Sequence, residues 1–494
     1  MSTKKFSHEE ELARELGKRG MSRRQMLKVG ALLGLGSASM AALAACAPPA
    51  AAPAAPKAAD APKAEAPAAE PAKSIFDAGE GSDGKWPKSV VADPAAEVTL
   101  SVAHAWDATF MERQKQFDEL FTKRHPNIKI KAENTPFAEF TTKYTTQAAA
   151  GSAPDVIYTQ FSWAQQFIRG KIFIPLDDYI KNEKDFNLED FTKASLGSYK
   201  FDGKLWLLPY DEGPNNLYYN IELFEKAGVP VPTENWTMDD LKAAAIKLTS
   251  GEGPSKVFGL GELPSMGDSL MAPNYLMPFG GAYLKEPKED EYLGNSPESI
   301  AAMEWWEELR AKGAIPGPAD MQGVSWPAFQ SGRIAMTAQG SWATPPIAAG
   351  SKFKWDIMQW PKGPKAHTTF SAGSGYGITQ NSKNADAAWI YVNDYLSTAG
   401  QSYMWGLTGR GSPARLSAWP SYLGSKFAPP GAKWVENAMK TGIAVHEIID
   451  QPTGPKVTQA AGAIWDLVVA GQKSVKDALN EIKTAVDPII AENK

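Results

Sequence analysis

Cysteine is nearly missing: of 494 residues only Cys46 is one, which excludes an internal disulfide and any metal cage built on thiolates. The five histidines, His8, His104, His125, His367 and His446, are scattered without metal-ligand spacing. Beyond the N-terminus there is no long basic stripe, and the formal net charge is -5, which argues against a nucleic-acid binder. A nucleophile elbow, a zinc motif and a phosphate loop are also missing. Gly373-Ser374-Gly375-Tyr376-Gly377 lacks the strand-then-helix setting of a dinucleotide site. No internal repeat is visible. What remains is a chain of two- or three-domain length with a heavy aromatic load, sixteen tryptophans and fifteen tyrosines, suited to large cores or to stacking surfaces for flat ligands.

The first residues are highly charged and hold no apolar run. Ser22–Lys28 (SRRQMLK) followed by the uncharged, small-residue-rich Val29–Ala45 has the plan of a signal peptide, too short and weak for a membrane span. Arg23-Arg24 resembles a twin-arginine export signal, with Met26 where phenylalanine is commoner. Leu43-Ala44-Ala45-Cys46 resembles the lipobox of bacterial lipoproteins, which implies a lipid on Cys46 as the new N-terminus. Removing residues 1–45 would take away eight basic and four acidic residues, leaving 43 against 52 and a formal -9. From Ala47 to about Lys73 the chain is almost wholly alanine and proline, a tether that could reach about 80 Å in a polyproline-like form at about 3.1 Å per residue. The Gly, Asp and Pro content of Lys73–Ala96 extends the expected tether to residue 96.

Folded sequence is expected from Glu97. Strands are expected at the start of that segment, at Ile128–Ala132 and at Val156–Thr159, and they alternate with helices over Thr109–Arg124 and Ala138–Ala150. That order points to parallel βαβ units. In such sheets the ligand crevice lies beyond the C-terminal strand ends, which marks the His104–Asp107 and Gln160–Trp163 loops as rim candidates. Gly203–Gly228 (GKLWLLPYDEGPNNLYYNIELFEKAG) reads as a passage between two bodies. A strand over Leu205–Tyr210 is broken at Gly213-Pro214 by an exposed Asp211-Glu212 pair, extended chain resumes over Leu217–Asn220, and a helix over Ile221–Ala227 is stopped by Gly228. Further helices are expected over Trp236–Leu248, with Thr237 as N-cap, and over Ser296–Lys312. Short strands are expected over Trp355–Trp360 and Ser371–Thr379, and helices from Ala385 onward, interrupted by the Gly/Pro passages at Thr408–Pro413 and Pro429–Gly431.

The segments FTKRHPNIKI, AAAGSAPDVIYTQ, GKIFIPLDDYI, the Gly203–Gly228 passage, FQSGRIAMTAQGSW and SAGSGYGITQNSKNADAAW, in that order between about Val98 and Ile482, resemble the family 1 extracellular solute-binding proteins of ABC importers, of which maltose-binding protein is a familiar member. The resemblance implies an α/β, type II periplasmic-binding-protein fold: two α/β lobes joined by a three-crossing hinge, with the ligand between them. It implies crossings near Asp211–Pro214, Ser371–Tyr376 and Ser425–Pro430, with lobe one as 97–212 plus 377–425 and lobe two as 213–370 plus 430–494. It further implies a monomer that needs no cofactor, works with a permease and an ATPase, and does no catalysis.

Within that frame Trp342 matches the turn tryptophan that stacks on sugar. Asp211 and Glu212 would accept hydrogen bonds from hydroxyls, while Gly213 stands about where the maltose protein has an acid. Gln160 and Ser162 follow the third strand, Gly373 and Ser374 permit close backbone approach to a ligand, and Trp106, Glu139 and Trp163 complete the candidate set. Aromatic faces beside amides and carboxylates favour a mono- or oligosaccharide over glycerol-phosphate, polyol, peptide, polyamine or metal cargo. The rival from another class is a secreted glycoside hydrolase. Adjacent Asp211 and Glu212 on an extended chain point to opposite sides, a poor acid pair.

Overall fold

The computed structural model describes residues 86–106, 108–267, 272–285, 290–317, 320, 325–441, 443–444 and 453–492. The expected export signal, Cys46, the expected alanine-proline tether as far as residue 85, and Asp107 lie outside the described residues. In chain order the elements that position the site are β1 (Val98–His104), α1 (Ala108–Arg124), β2 (Ile128–Asn134), α2 (Phe137–Ala149), β3 (Val156–Gln160), α3 (Phe161–Arg169), β4 (Leu208–Pro214), β5 (Asn216–Asn220), α4 (Ile221–Ala227), α5 (Met238–Leu248), β6 (Phe258–Leu260), α6 (Ala272–Tyr275), α7 (Pro297–Ala311), β7 (Ile334–Gln339), β8 (Trp355–Gln359), β9 (Phe370–Ile378), α8 (Ala385–Tyr395), α9 (Lys433–Thr441), β10 (Ile443–Ala444), α10 (Gly454–Val469) and α11 (Val475–Ala491).

Helical spacing puts Phe110, Phe117 and Phe121 of α1, and Phe140 and Tyr144 of α2, on buried faces against β1 and β3. These strands form one sheet in the order β10-β9-β3-β1-β2, with β4 added along β9. β1 is parallel to β2 and β3, as the alternating pattern implies, whereas β9 runs antiparallel to both β3 and β4. A second sheet has the order β8-β5-β7-β6 and its own core, covered by α5, α7, α10 and α11. Local chemistry sets the boundaries there. Thr237 and Asp240 make a reciprocal capping box on α5, Ser296 caps α7 ahead of Pro297, and Gly228 ends α4 in the left-handed conformation.

The structure revises three expectations. The strand entering the first crossing does not stop at Gly213-Pro214: β4 runs through both residues, which pair with Ala372 and Ser371 of β9. Proline is tolerated there because it ends the strand. Residues 86–94 are docked on the first lobe instead of belonging to a tether. The Arg124 guanidinium lies 3.7 Å from the Trp86 ring centre, Ser89 and Val90 donate to the Glu183 carboxylate, and the Pro94 carbonyl accepts from Asn127 at 2.8 Å. Composition alone does not reveal a strap held by such distant partners. The change of core along the third crossing comes between Ala414, in the first core, and Trp419, which packs with Tyr218 and Ile357 of the second sheet, ahead of the expected Ser425–Pro430.

The first two crossings are laced together by polar groups. Asn215 N–H donates to the Phe370 carbonyl at 2.8 Å, and Thr369 Oγ1 donates to the Asn215 carbonyl at 2.7 Å. The fully buried Asn274 of α6 accepts from Phe370 N–H at 2.7 Å, and Thr368 Oγ1 donates to the Pro273 carbonyl at 2.8 Å. A buried amide left without its acceptor costs about 1–3 kcal/mol. Asn274→Ala is therefore expected to lower stability by about 1–3 kcal/mol and to speed hydrogen exchange at Phe370 first. Unchanged exchange there would mean that Asn274 does not hold the hinge.

Candidate ligand site at the lobe junction

Beyond the C-terminal ends of β1 and β3 lies a cavity of about 230 Å³. Rings make half of its lining: Trp106, Phe137, Tyr158, Tyr210, Trp342 and Trp405. Gln160, Asp211, Ser374 and Arg410 supply the polar groups, and Ala105 and Gly373 complete the lining. Each ring is fixed from behind. Asn134 holds the Trp106 backbone on both sides, Oδ1 accepting from Trp106 N–H at 2.8 Å and Nδ2 donating to its carbonyl at 2.9 Å. Tyr210 stacks flat on Trp405 with centres 4.4 Å apart, and Trp106 meets Tyr158 edge-on at 4.8 Å. Trp405 comes from a π-helical turn, Ser402–Gly406, a distortion that occurs often at functional sites. The following Gly409, at φ 64°, turns the chain so that Arg410 returns to the cavity, its guanidinium 4.4 Å from the centre of the Phe110 ring.

Trp342 sits on a 3₁₀ turn, Ser341–Ala343, directly after β7, half-buried against Phe161 of α3 and Phe370 of β9. Its ring also lies on two glycines. A Cβ built on Gly213 would stand 2.5 Å from a ring carbon, and one on Gly340 closer still. Gly213 therefore has no side chain because the indole occupies that space. The turn is tied to the loop that carries Arg410: Ser412 N–H donates to Ser341 Oγ at 3.0 Å, and Ser412 Oγ donates to the Glu212 carbonyl.

Strand alternation separates the two adjacent acids. Asp211 lines the cavity, and its Oδ1 accepts from Ser374 N–H at 2.7 Å beside a bulge between Ser374 and Gly375. Burial pushes its carboxyl up to about 8, opposed by the Ser374 amide and the positive charge of Arg410. Glu212 faces the other way, buried, and accepts from Thr192 Oγ1 and from Ser371 Oγ at 3.0 Å. Its carboxyl is raised to about 7 by burial, against those two bonds. The exposed acidic pair is thus corrected to one cavity carboxylate and one structural clamp.

Of the other candidates, Trp106, Gln160, Trp342, Gly373 and Ser374 are brought together with Asp211. The glycine at 373 is required by its partner strand, since a Cβ there would meet the Asp211 carbonyl at 2.5 Å. Ser162 stands behind Gln160, donating to its Oε1 at 2.8 Å. Glu139 is exposed in the first turn of α2 and does not line the cavity. Sequence reasoning missed Tyr158, Tyr210, Phe137, Trp405 and Arg410. The period of two would have found Tyr158, which shares a face with Gln160, whereas Trp405 and Arg410 arrive by a loop with no periodic signal.

Gly213→Ala is expected to destabilise the protein by about 1–3 kcal/mol through overpacking, and Trp342→Ala to relieve most of that cost in a double-mutant cycle; strictly additive effects would show that the two residues do not touch. For Asp211 the folded protein keeps a proton that the unfolded chain releases near pH 4. That contribution to stability is present at low pH and is lost as pH rises through about 8. Asp211→Asn, compared with the unsubstituted protein in urea titrations, should flatten the fall between about pH 4 and pH 8. Parallel profiles would contradict a raised carboxyl.

The model of the bacterial extracellular solute-binding protein family matches residues 104–402, more than half of the chain. A binding protein of Brucella abortus is 29% identical over 315 residues, covering 61% of this chain and 72% of that protein. The lactose-binding protein of Rhizobium radiobacter is 25% identical over 341 residues, 66% of this chain and 76% of that one. Among solved structures, the ABC substrate-binding protein of Listeria monocytogenes in complex with cycloalternan superposes with a TM-score of 0.71 at 23% identity, over 80% of this chain and 99% of that one. Two α/β lobes around a junctional cavity agree with that fold, and the chain belongs to the bacterial extracellular solute-binding proteins.

Proposed function

We propose that this protein captures a carbohydrate between its two lobes outside the cytoplasm and delivers it to the permease of an ABC importer. The observation that carries the reading is the chemistry of the cavity wall. A half-buried indole, Trp342, shares the lining with a group of rings from the first lobe, while Gln160, Asp211, Ser374 and Arg410 offer both donors and acceptors. Rings cover the C–H faces of a pyranose, and the polar groups take its hydroxyls. Trp106, Gln160, Asp211, Trp342, Gly373 and Ser374 are proposed as its contacts, joined by Tyr158, Tyr210, Trp405 and Arg410. The named cargoes of the relatives, lactose and cycloalternan, are of the same class.

The lining disfavours the rivals. A polyamine calls for several carboxylates and a phosphate for several arginines, whereas among the described lining residues there is one of each, Asp211 and Arg410. A glycoside hydrolase needs two carboxyl groups about 5–9.5 Å apart across the bond, and the cavity wall supplies one. We further propose export through Arg23-Arg24 and lipidation of Cys46, both supported by the residues around them.

A thermal-shift screen against sugars, polyols, sugar phosphates, amino acids and polyamines tests the cargo class. A ligand at 100 times its Kd should add about 2.7 kcal/mol of stability. The expected result is a response to sugars that Trp342→Ala abolishes; a response confined to phosphates or amines would overturn the carbohydrate reading. For the anchor, Cys46→Ser is expected to move the expressed protein from the detergent phase to the aqueous phase, and equal partitioning would contradict lipidation.

A further inference from the structure

Phe137 is the first residue of α2, set by Pro136 at the N-cap, and it lines the cavity while remaining 52% exposed. Among the described residues it is the one aromatic in the group of exposed large hydrophobic side chains. It is not loosely held. Its ring packs on Trp163 with centres 4.5 Å apart, and Trp163 stacks on the fully buried Phe140 at 5.3 Å and 17°. The series runs from the core of the first lobe to solvent and ends on the cavity wall, which Phe137 shares with Gln160 and Trp342.

The cavity that Phe137 lines, about 230 Å³, falls below the range of about 300–1,000 Å³ that encloses a drug-sized molecule, so a cargo of two sugar rings would reach beyond it. A rigid apolar face supported from the core and left open at the mouth calls for a second ring. We propose that Phe137, backed by Trp163, is an outer stacking platform. The cargo is then an oligosaccharide of at least two rings, one inside against Trp342 and the next across Phe137. This rests on the carbohydrate reading and narrows it.

The test is calorimetric titration of the full chain carrying Cys46→Ser, with and without Phe137→Ala or Phe137→Trp. Its probes are matched mono-, di- and trisaccharides of glucose, galactose, mannose, xylose and arabinose. The unsubstituted protein should bind the disaccharide of its preferred series at least tenfold more tightly than the monosaccharide. Phe137→Ala should lower disaccharide affinity five- to tenfold more than it lowers monosaccharide affinity, and Phe137→Trp should restore the difference. Because the side chain is half in solvent, its truncation should leave the fold intact. Equal loss for all lengths would make Phe137 a closure contact and overturn the proposal, as would affinity that does not rise with length. Failure of every sugar to bind the unsubstituted protein would instead overturn the carbohydrate reading, and the platform with it.

Discussion

The antiparallel pairing of β4 with β9 is the contact on which both lobes and the site depend. Ser371–Ser374 of β9 lie opposite Asp211–Pro214 of β4, so two of the segments that join the lobes are one piece of sheet. Two consequences follow from the register. The cavity groups Asp211, Gly373 and Ser374 are set by backbone hydrogen bonds, not by loop packing. The same strands continue into Asn215 and Thr369, where the polar lacing to Asn274 begins. Movement of one lobe against the other therefore acts on the residues next to those that would touch a ligand. Hinges of this kind absorb closure in a few backbone positions.

Aromatic packing determines the character of the site. Trp106, Tyr158, Tyr210 and Trp405 are buried members of the first-lobe core, and the cavity is the place where that core reaches the surface. Its rings need no ordering when a ligand arrives, which lowers the entropic cost of binding. Trp342 belongs to the other lobe but rests on Phe161 and on Gly213 of the crossing strand, so its position reports the relation of the lobes. A ligand that favours one arrangement by about 5.5 kcal/mol can turn that equilibrium from 1:99 to 99:1.

How far the sequence reveals this depends on the range of the interaction. Ile221–Ala227 is legible to the residue because Asn220 and Gly228 fix both ends locally. The βαβ order of the first lobe is legible from periodicity. The path through Gly213-Pro214 is misread because two turn-forming residues outweigh, in sequence, a strand partner supplied from Ser371-Ala372. Gly213 looks like a missing acid until the Trp342 ring is seen against it. The docked Trp86 strap and the return of Arg410 to the cavity are likewise set by distant partners, which one chain does not display.

A protein whose two lobes close on cargo becomes more compact when the cargo binds. Small-angle X-ray scattering of the protein with and without a saturating sugar identified by titration measures this directly. A smaller radius of gyration is expected with sugar, and no contraction when Trp342 is replaced by alanine. Tight binding of a sugar with an unchanged radius, in a protein whose ligand-free form is open, would contradict it.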